Sequence, residues 1–328
     1  MANNNFVDYW DNVISAWLKC ANGSNAATAF KSTAGLPINE KNAIDEQALI
    51  IGAINSNAGK KGTIYHVHPS HMPEPYWGNP DDCSIILLNY NPAGGSEISC
   101  YTSIECVGCS RVNNLTTFAK QNKYSGLALD FPLLMNDPKA NGQGIPWIKN
   151  YGGYKWWQAK KKWLEHLACC FNSDGEENEK NNKMPFCIEV CGWHSVKWIN
   201  NMKWASCQIK KIIAGRVILP ILAAIQKNKT LTVCIGSQFS HNALCDLFCP
   251  YVDELIDCTS VINNSLGYPI EKGCIKVTVN DKNRYYRIYR IKYQGEYYYI
   301  LNTWVQGSNR HPANHFWPEE EKIIRAIK

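Results

Sequence analysis

The chain has 328 residues, 45% of them hydrophobic and 19% charged, with a formal charge of +6, a composition that suits a soluble globular protein with a sizeable buried core. No run of about eighteen apolar residues occurs, and Met1 to Trp17 is polar and aromatic rather than basic and then apolar, so the expectation is a cytoplasmic protein without a membrane partner. Fifteen cysteines in a chain of this length, many within apolar segments, read as reduced core thiols rather than a disulfide framework.

Twelve Trp and seventeen Tyr form a high aromatic load, which fills cores and interfaces and also suits stacking on bases or sugars. The positive charge is compatible with an anionic partner such as nucleic acid without pointing to one.

In chain order, Phe6 to Leu18 and Ile38 to Ile54 carry apolar residues at helical spacing and make a helical N-terminal extension over residues 1–60. Thr63 to Val67 reads as a short strand. His66, His68 and His71 follow beside Pro69, Pro73 and Pro75, a spacing that matches no helix face and favours a solvated or substrate-facing loop over a metal centre.

The run Ser84-Ile85-Ile86-Leu87-Leu88 reads as a buried strand that empties into Asn89-Tyr90-Asn91-Pro92-Ala93-Gly94-Gly95. Two readings fit that loop. It is an ordinary strand-to-loop turn, or it is a ligand loop at the carboxyl end of a sheet strand, with glycines that admit close backbone approach and an Asn91 amide that holds a water or a carbonyl. Cys100, Cys106 and Cys109 come next. Cys106-x-x-Cys109 has metal-ligand spacing, but a fourth ligand with matching spacing is missing, so no metal is assigned.

After a long irregular stretch with a turn at Asp130-Phe131-Pro132, the segment Tyr154 to Leu164 reads as a helix with one apolar and one basic face. Its Lys155, Lys160, Lys161 and Lys162 either touch phosphates or form a solvated face. Asn172 to Lys183 is a polar surface loop. Phe186 to Val190 is a second core strand, which carries Glu189 among apolar neighbours and runs into Cys191-Gly192-Trp193-His194-Ser195. The apolar helix Ile209 to Gln226 leads to a third strand, Leu231 to Gly236, followed by Ser237-Gln238-Phe239 and a helix from His241. Strand, helix, strand, helix at this spacing predicts a parallel sheet with right-handed crossovers and its functional loops at one rim.

The tail changes character. Cys274 to Val279, Arg284 to Tyr293 and Glu296 to Trp304 read as a β-meander, on which Arg287, Arg290 and Lys292 place positive charge. The last strand empties into a loop containing Ser308, Asn309, Arg310, His311 and Pro312, and Pro318-Glu319-Glu320-Glu321 starts a closing helix. Neither an internal repeat nor an interdomain linker is visible.

An Asn91-Pro92 loop with glycines after the first core strand and a His311-Pro312 loop before the terminal helix resemble the two signature loops of the uracil-DNA glycosylase superfamily. The segments Pro73 to Pro80, Gly153 to Trp157 and Glu189 to Ser195 look like landmarks of an uncharacterised bacterial branch of it. The resemblance covers residues 63–328. It implies a three-layer α/β/α sandwich around a mostly parallel four-stranded sheet, in a single domain over 1–328 with residues 274–304 as a β-meander insertion.

The resemblance also implies chemistry. Superfamily members flip a base from the stack and hydrolyse its N-glycosidic bond without a metal or other cofactor. Asn91 and His311 would be the catalytic pair: Asn91 positions the water but cannot act as a base, and His311 hydrogen-bonds the base oxygen that gathers charge. Tyr90, Pro92, Ala93, Gly94, Tyr76, Ser308 and Asn309 would bind the substrate, with Tyr90 or Tyr76 stacking on the base, while Lys155, Arg310, Ser237 and Gln238 would contact DNA. The implied agent is a monomeric DNA glycosylase-like hydrolase of the base-excision-repair type.

Two departures qualify this reading. Ala313-Asn314 replaces the usual Ser-Pro after His-Pro. Glu189 lies where the superfamily often has an Asn, and an ionised Glu suits an exocyclic amine and opposes uracil O4, whereas a buried, protonated one donates; paired with Lys or Arg, it is structural. Two other classes stay open: a non-catalytic nucleic-acid or nucleotide binder, and a metalloprotein organised around Cys100, Cys106 and Cys109.

Overall fold

The structure, a computed structural model, describes residues 2–20, 30, 32–58, 66–67, 69, 72–90, 123–131, 152–172, 183–193, 206–305 and 314–328. In chain order these form α1 (Ala2–Cys20), α2 (Ile38–Ala58), β1 (Tyr76–Trp77), β2 (Cys83–Asn89), α3 (Ser125–Ala128), α4 (Gly152–Asn172), β3 (Met184–Glu189), α5 (Cys207–Asn228), β4 (Thr232–Ile235), α6 (His241–Phe248), β5 (Glu254–Asp257), α7 (Thr259–Leu266), β6 (Ile270–Glu271), β7 (Cys274–Val279), β8 (Lys282–Tyr293), β9 (Glu296–Trp304) and α8 (Trp317–Ile327), the last entered through a 3-10 turn at Asn314–Phe316. The mixed α/β class expected from the sequence is observed. The expected strand at Thr63 to Val67 falls largely outside the described residues.

The contacts divide the chain into two units, the first made of residues 1–77, 90–156 and 189–217 and the second of 78–89, 157–188 and 218–328. In the first, α1 and α2 pair antiparallel: Tyr9 meets Glu46 while Ser15 and Lys19 meet Glu40. Their apolar positions Val13, Trp17 and Ile44 are fully buried. The helices also clamp irregular backbone. The Trp17 indole donates to the Pro69 carbonyl at 2.7 Å, and the Asn55 amide takes both the N–H and the C=O of Val67. Asp11 receives the backbone N–H and hydroxyl of Ser125. The N-terminal helices are therefore part of this unit's core rather than a peripheral arm, because irregular backbone buried there needs side-chain partners.

The second unit holds a sheet in the order β3-β2-β4-β9-β8-β7-β6, with β5 pairing the later part of β8. Strands β2, β4 and β9 are parallel, with Leu88 opposite Cys234 and Cys234 opposite Asn302. Strands β9, β8, β7 and β6 are successively antiparallel. Strands β2 and β4 are buried along nearly their whole length, and β9 from Ile300 to Thr303 where it pairs with β4, as strands covered on both faces must be.

This arrangement corrects one sequence expectation. The meander is not an insertion beside a four-stranded sheet: its last strand, β9, is a parallel neighbour of β4, and β8, β7 and β6 extend the same sheet. Hydrogen-bonded ladders join strands by exposed edge, not by sequence order, and a buried β4 edge needs a partner. A second correction concerns the basic face of α4, where Lys160 is only 4% exposed and so does not belong to a solvated face. Lys161 pairs with Glu165 at 3.0 Å.

Twelve cysteines are described, all as free thiols, and most are buried or half-buried. Burial pushes Cys83 and Cys191 up to about 12, the behaviour of inert core thiols.

Candidate rim of the sheet and a buried carboxylate junction

Three strand ends define one rim in the second unit. Strands β2, β4 and β9 run parallel as neighbours, so Asn89, Gly236 and Trp304 leave the sheet along the same edge. Strand spacing puts the β2 and β9 ends roughly 10 Å apart with β4 between them. Gly236 ends β4 at φ +129°, which a side chain would resist, and its N–H donates to the Thr303 carbonyl at 3.0 Å. Ser237 beyond it is exposed and Gln238 half-buried. The Asn302 amide donates to the Phe239 carbonyl at 2.8 Å, which fastens the segment after β4 to β9. In open α/β sheets, ligands collect at such a carboxyl rim.

Below this rim lies a buried polar network. The Arg284 Nε donates to Thr303 Oγ1 at 2.9 Å, while Glu320 accepts from the Trp163 indole at 2.9 Å and from the Tyr286 hydroxyl at 3.0 Å. Arg284 and Glu320 are wholly buried. Burial raises the Glu320 carboxyl to about 7, and the Arg284 charge and the two hydrogen bonds hold that rise back.

In the first unit, one backbone bond joins the segments that follow β3 and β2, and two more join the end of β3 and the residues after it to the segment before β1. Cys191 N–H donates to the Tyr90 carbonyl at 2.7 Å, Glu189 N–H to the Pro75 carbonyl at 2.9 Å, and Glu74 N–H to the Gly192 carbonyl at 2.8 Å. Tyr90, Glu74 and Glu189 are all buried. The Glu189 charge adds to the burial that raises the neighbouring Cys191 thiol. Two buried carboxylates on hydrogen-bonded segments are the feature here that can recognise an amine or exchange a proton.

A relay stands behind that junction. The Trp193 indole donates to Gln47 Oε1 at 2.8 Å, Gln47 Nε2 donates to the Tyr9 hydroxyl at 2.8 Å, and Tyr9 donates to Glu46 at 2.6 Å. Arg216 grips Glu46 with two N–H groups and lies 3.7 Å from the Tyr9 ring centroid.

The expected site residues are distributed as follows. Asn91, Pro92, Ala93, Gly94, Ser308, Asn309, Arg310 and His311 lie outside the described residues, as do Cys100, Cys106 and Cys109. Tyr90 and Glu189 belong to the same junction, and Ser237 and Gln238 stand at the rim. Lys155 lies in the first turn of α4. Tyr76 is fully buried, with its ring 4.9 Å from Phe6 and 5.5 Å from Tyr124, and is a core residue. That packing leaves no open face for the stacking role expected of it. Glu74 was not singled out from the sequence; the available signal was an acid held between two prolines in an apolar context.

No protein-family model, curated protein or solved structure matches the chain. Among the described residues, no cluster of three or more His, Cys, Asp or Glu suits a metal ion, and no helix is long and apolar enough to cross a membrane.

Proposed function

We propose that the protein is a DNA glycosylase-like hydrolase that excises a flipped, modified or mismatched base. One observation carries the reading. The strands that run into the two signature-like loops, β2 before Asn91 and β9 before His311, are parallel and share β4 as neighbour. Asn91 follows two residues after Asn89 and His311 seven after Trp304. On this reading the fold is a three-layer α/β/α sandwich of glycosylase type, and the chain acts as a cytoplasmic monomer on DNA.

In the proposed reaction, the Asn91 amide orients a water toward C1′ of the sugar. The C1′–N bond breaks, the water oxygen bonds to C1′, and the base departs with the bonding pair, accepting a hydrogen bond from His311 and then a proton. Glu189 reads the base edge, and its carboxylate favours an exocyclic amine. Without a side-chain base at position 91, the expected acceleration is that of positioning and charge stabilisation alone.

The test is base release from duplex and single-stranded oligonucleotides that carry uracil, hypoxanthine, or an oxidised or alkylated base, read as strand scission after alkali. Scission by the intact chain that disappears in Asn91→Ala and His311→Ala is the expected result. Salt-sensitive binding without release from any substrate would replace the enzyme with a non-catalytic nucleic-acid binder.

A further inference from the structure

Beyond the rim, both faces of the meander are buried over most of their length. Ile275, Val277, Arg284, Tyr286 and Ile288 are buried on one, as Tyr285, Tyr289 and Ile291 are on its opposite. On the other, register places Lys276 opposite Tyr285 and Tyr285 opposite Trp304, a row across β7, β8 and β9 that ends at the carboxyl terminus of β9. The Tyr285 and Trp304 rings stack at 5.8 Å between centroids and 18° between planes. The Arg287 guanidinium lies on the same face, 5.9 Å from the Trp304 ring centroid. Trp304, Arg287 and Lys276 remain half-exposed.

The charges differ in how far they are satisfied. Lys276 is paired with Glu271 at 2.8 Å. Arg287 donates to the Lys272 carbonyl at 2.9 Å and to the Cys274 sulfur at 3.1 Å. No carboxylate among the described residues forms an ion pair with it. A guanidinium that keeps its charge beside two stacked aromatic rings offers a phosphate contact and a π-face within one row, the pairing of chemistries that single-stranded nucleic acid requires. A purely structural cross-strand pair would call for the rings but not for an unneutralised cation beside them.

We infer that this face, built on Trp304, Tyr285 and Arg287, is a stacking platform for single-stranded DNA that continues from the rim. The inference rests on the proposed nucleic-acid substrate and deepens it. A base stacks on the open side of Trp304, Tyr285 backs the indole, and Arg287 meets the phosphate beside that base.

The experiment measures binding of a fluorescein-labelled fifteen-nucleotide oligothymidylate, which holds no excisable base, by anisotropy at two salt concentrations. Trp304→Ala is expected to weaken binding roughly tenfold with little change in salt dependence, since stacking carries no counterions. Arg287→Gln is expected to weaken it several-fold and to lower the salt slope by about one phosphate contact. Trp304→Phe retains a ring and restores most of the affinity, which separates stacking from a folding defect. Tyr297→Ala, exposed on the opposite face, serves as the control and binds as the parent does. Wild-type affinity in both Trp304→Ala and Arg287→Gln overturns the inference, as does equal competition by dextran sulfate, which would show a merely electrostatic surface. Loss of binding in these variants in a protein that releases no base keeps the platform and removes the glycosylase. Base release from single strands at the parent rate in Trp304→Ala does the reverse.

Discussion

Glu320 accepts the indole N–H of Trp163 at 2.9 Å across 157 positions of sequence, inside a pocket that also holds the Tyr286 hydroxyl and the charge of Arg284. The pair ties the closing helix α8 to the middle of α4 in the second unit. Because burial lifts the Glu320 carboxyl from its ordinary 4.5 to about 7, the folded chain holds this proton more tightly than the unfolded chain does. The stability contributed by this group is therefore greatest below pH 4.5, falls as pH rises toward 7, and is level above it. The span corresponds to on the order of 3 kcal/mol. Denaturant titrations at pH 5 and pH 8 should show this fall, and Glu320→Gln, neutral at both, should flatten it. Equal pH slopes in parent and variant would remove the carboxyl as its source.

In the first unit, Trp193 and Gln47 form the buried link of the relay that ends at Arg216. Trp193→Phe keeps an aromatic ring but takes the donor from a Gln47 carbonyl only 2% exposed. An acceptor left unpaired in such surroundings costs about 1–3 kcal/mol. Urea unfolding should report that loss, and adding Gln47→Leu should recover part of it. A Trp193→Phe protein as stable as the parent would show that the bond contributes nothing net.

Gly192 and Gly52 offer a contrast in what a single methyl group meets. A Cβ at Gly192 would lie 2.9 Å from Pro75 Cα and 3.0 Å from Pro75 Cβ, whereas nothing lies within 4 Å of one at Gly52 in α2. Gly192→Ala should therefore strain the junction that joins Gly192 to Glu74, at about 1–3 kcal/mol. Gly52→Ala should stabilise its helix by about 0.5–1 kcal/mol. Thermal melts that move both variants in the same direction would contradict the packing around Pro75.

Glu189→Gln tests the role given to this carboxylate in the proposed reaction. Glutamine both donates and accepts, so the variant should lose preference for bases with an exocyclic amine and gain relative activity on bases with a carbonyl there. The ratio of release rates from paired substrates is the measurement. An unchanged ratio would take Glu189 out of the substrate site and leave it a structural residue of the junction with Pro75.

The core strands at 84–88, 186–190 and 231–236 and the three meander strands were legible because apolar and β-branched runs bounded by turn formers are local signals. The α/β class and the closing helix followed from the same signals. Glu189 was visible as a charge inside an apolar run, and its burial agrees with that reading. Glu74 was less visible: it is buried in a segment whose backbone bonds to Gly192, more than a hundred residues away.

What only the tertiary structure decided was partnership. Sequence pattern assigned β9 to a meander; the structure gave its other edge to β4, since a strand has two edges and its neighbours are chosen by which edges remain open in space. Sequence offered Tyr76 as a stacking ring, whereas Phe6 and Tyr124 from distant segments take up its faces. Periodicity and turn chemistry act within about a dozen residues, so the sequence by itself determined the kinds of element. Strand order, the company of each buried charge and the side on which Trp304 stands arise from contacts between remote segments, and these exist only once the chain has folded.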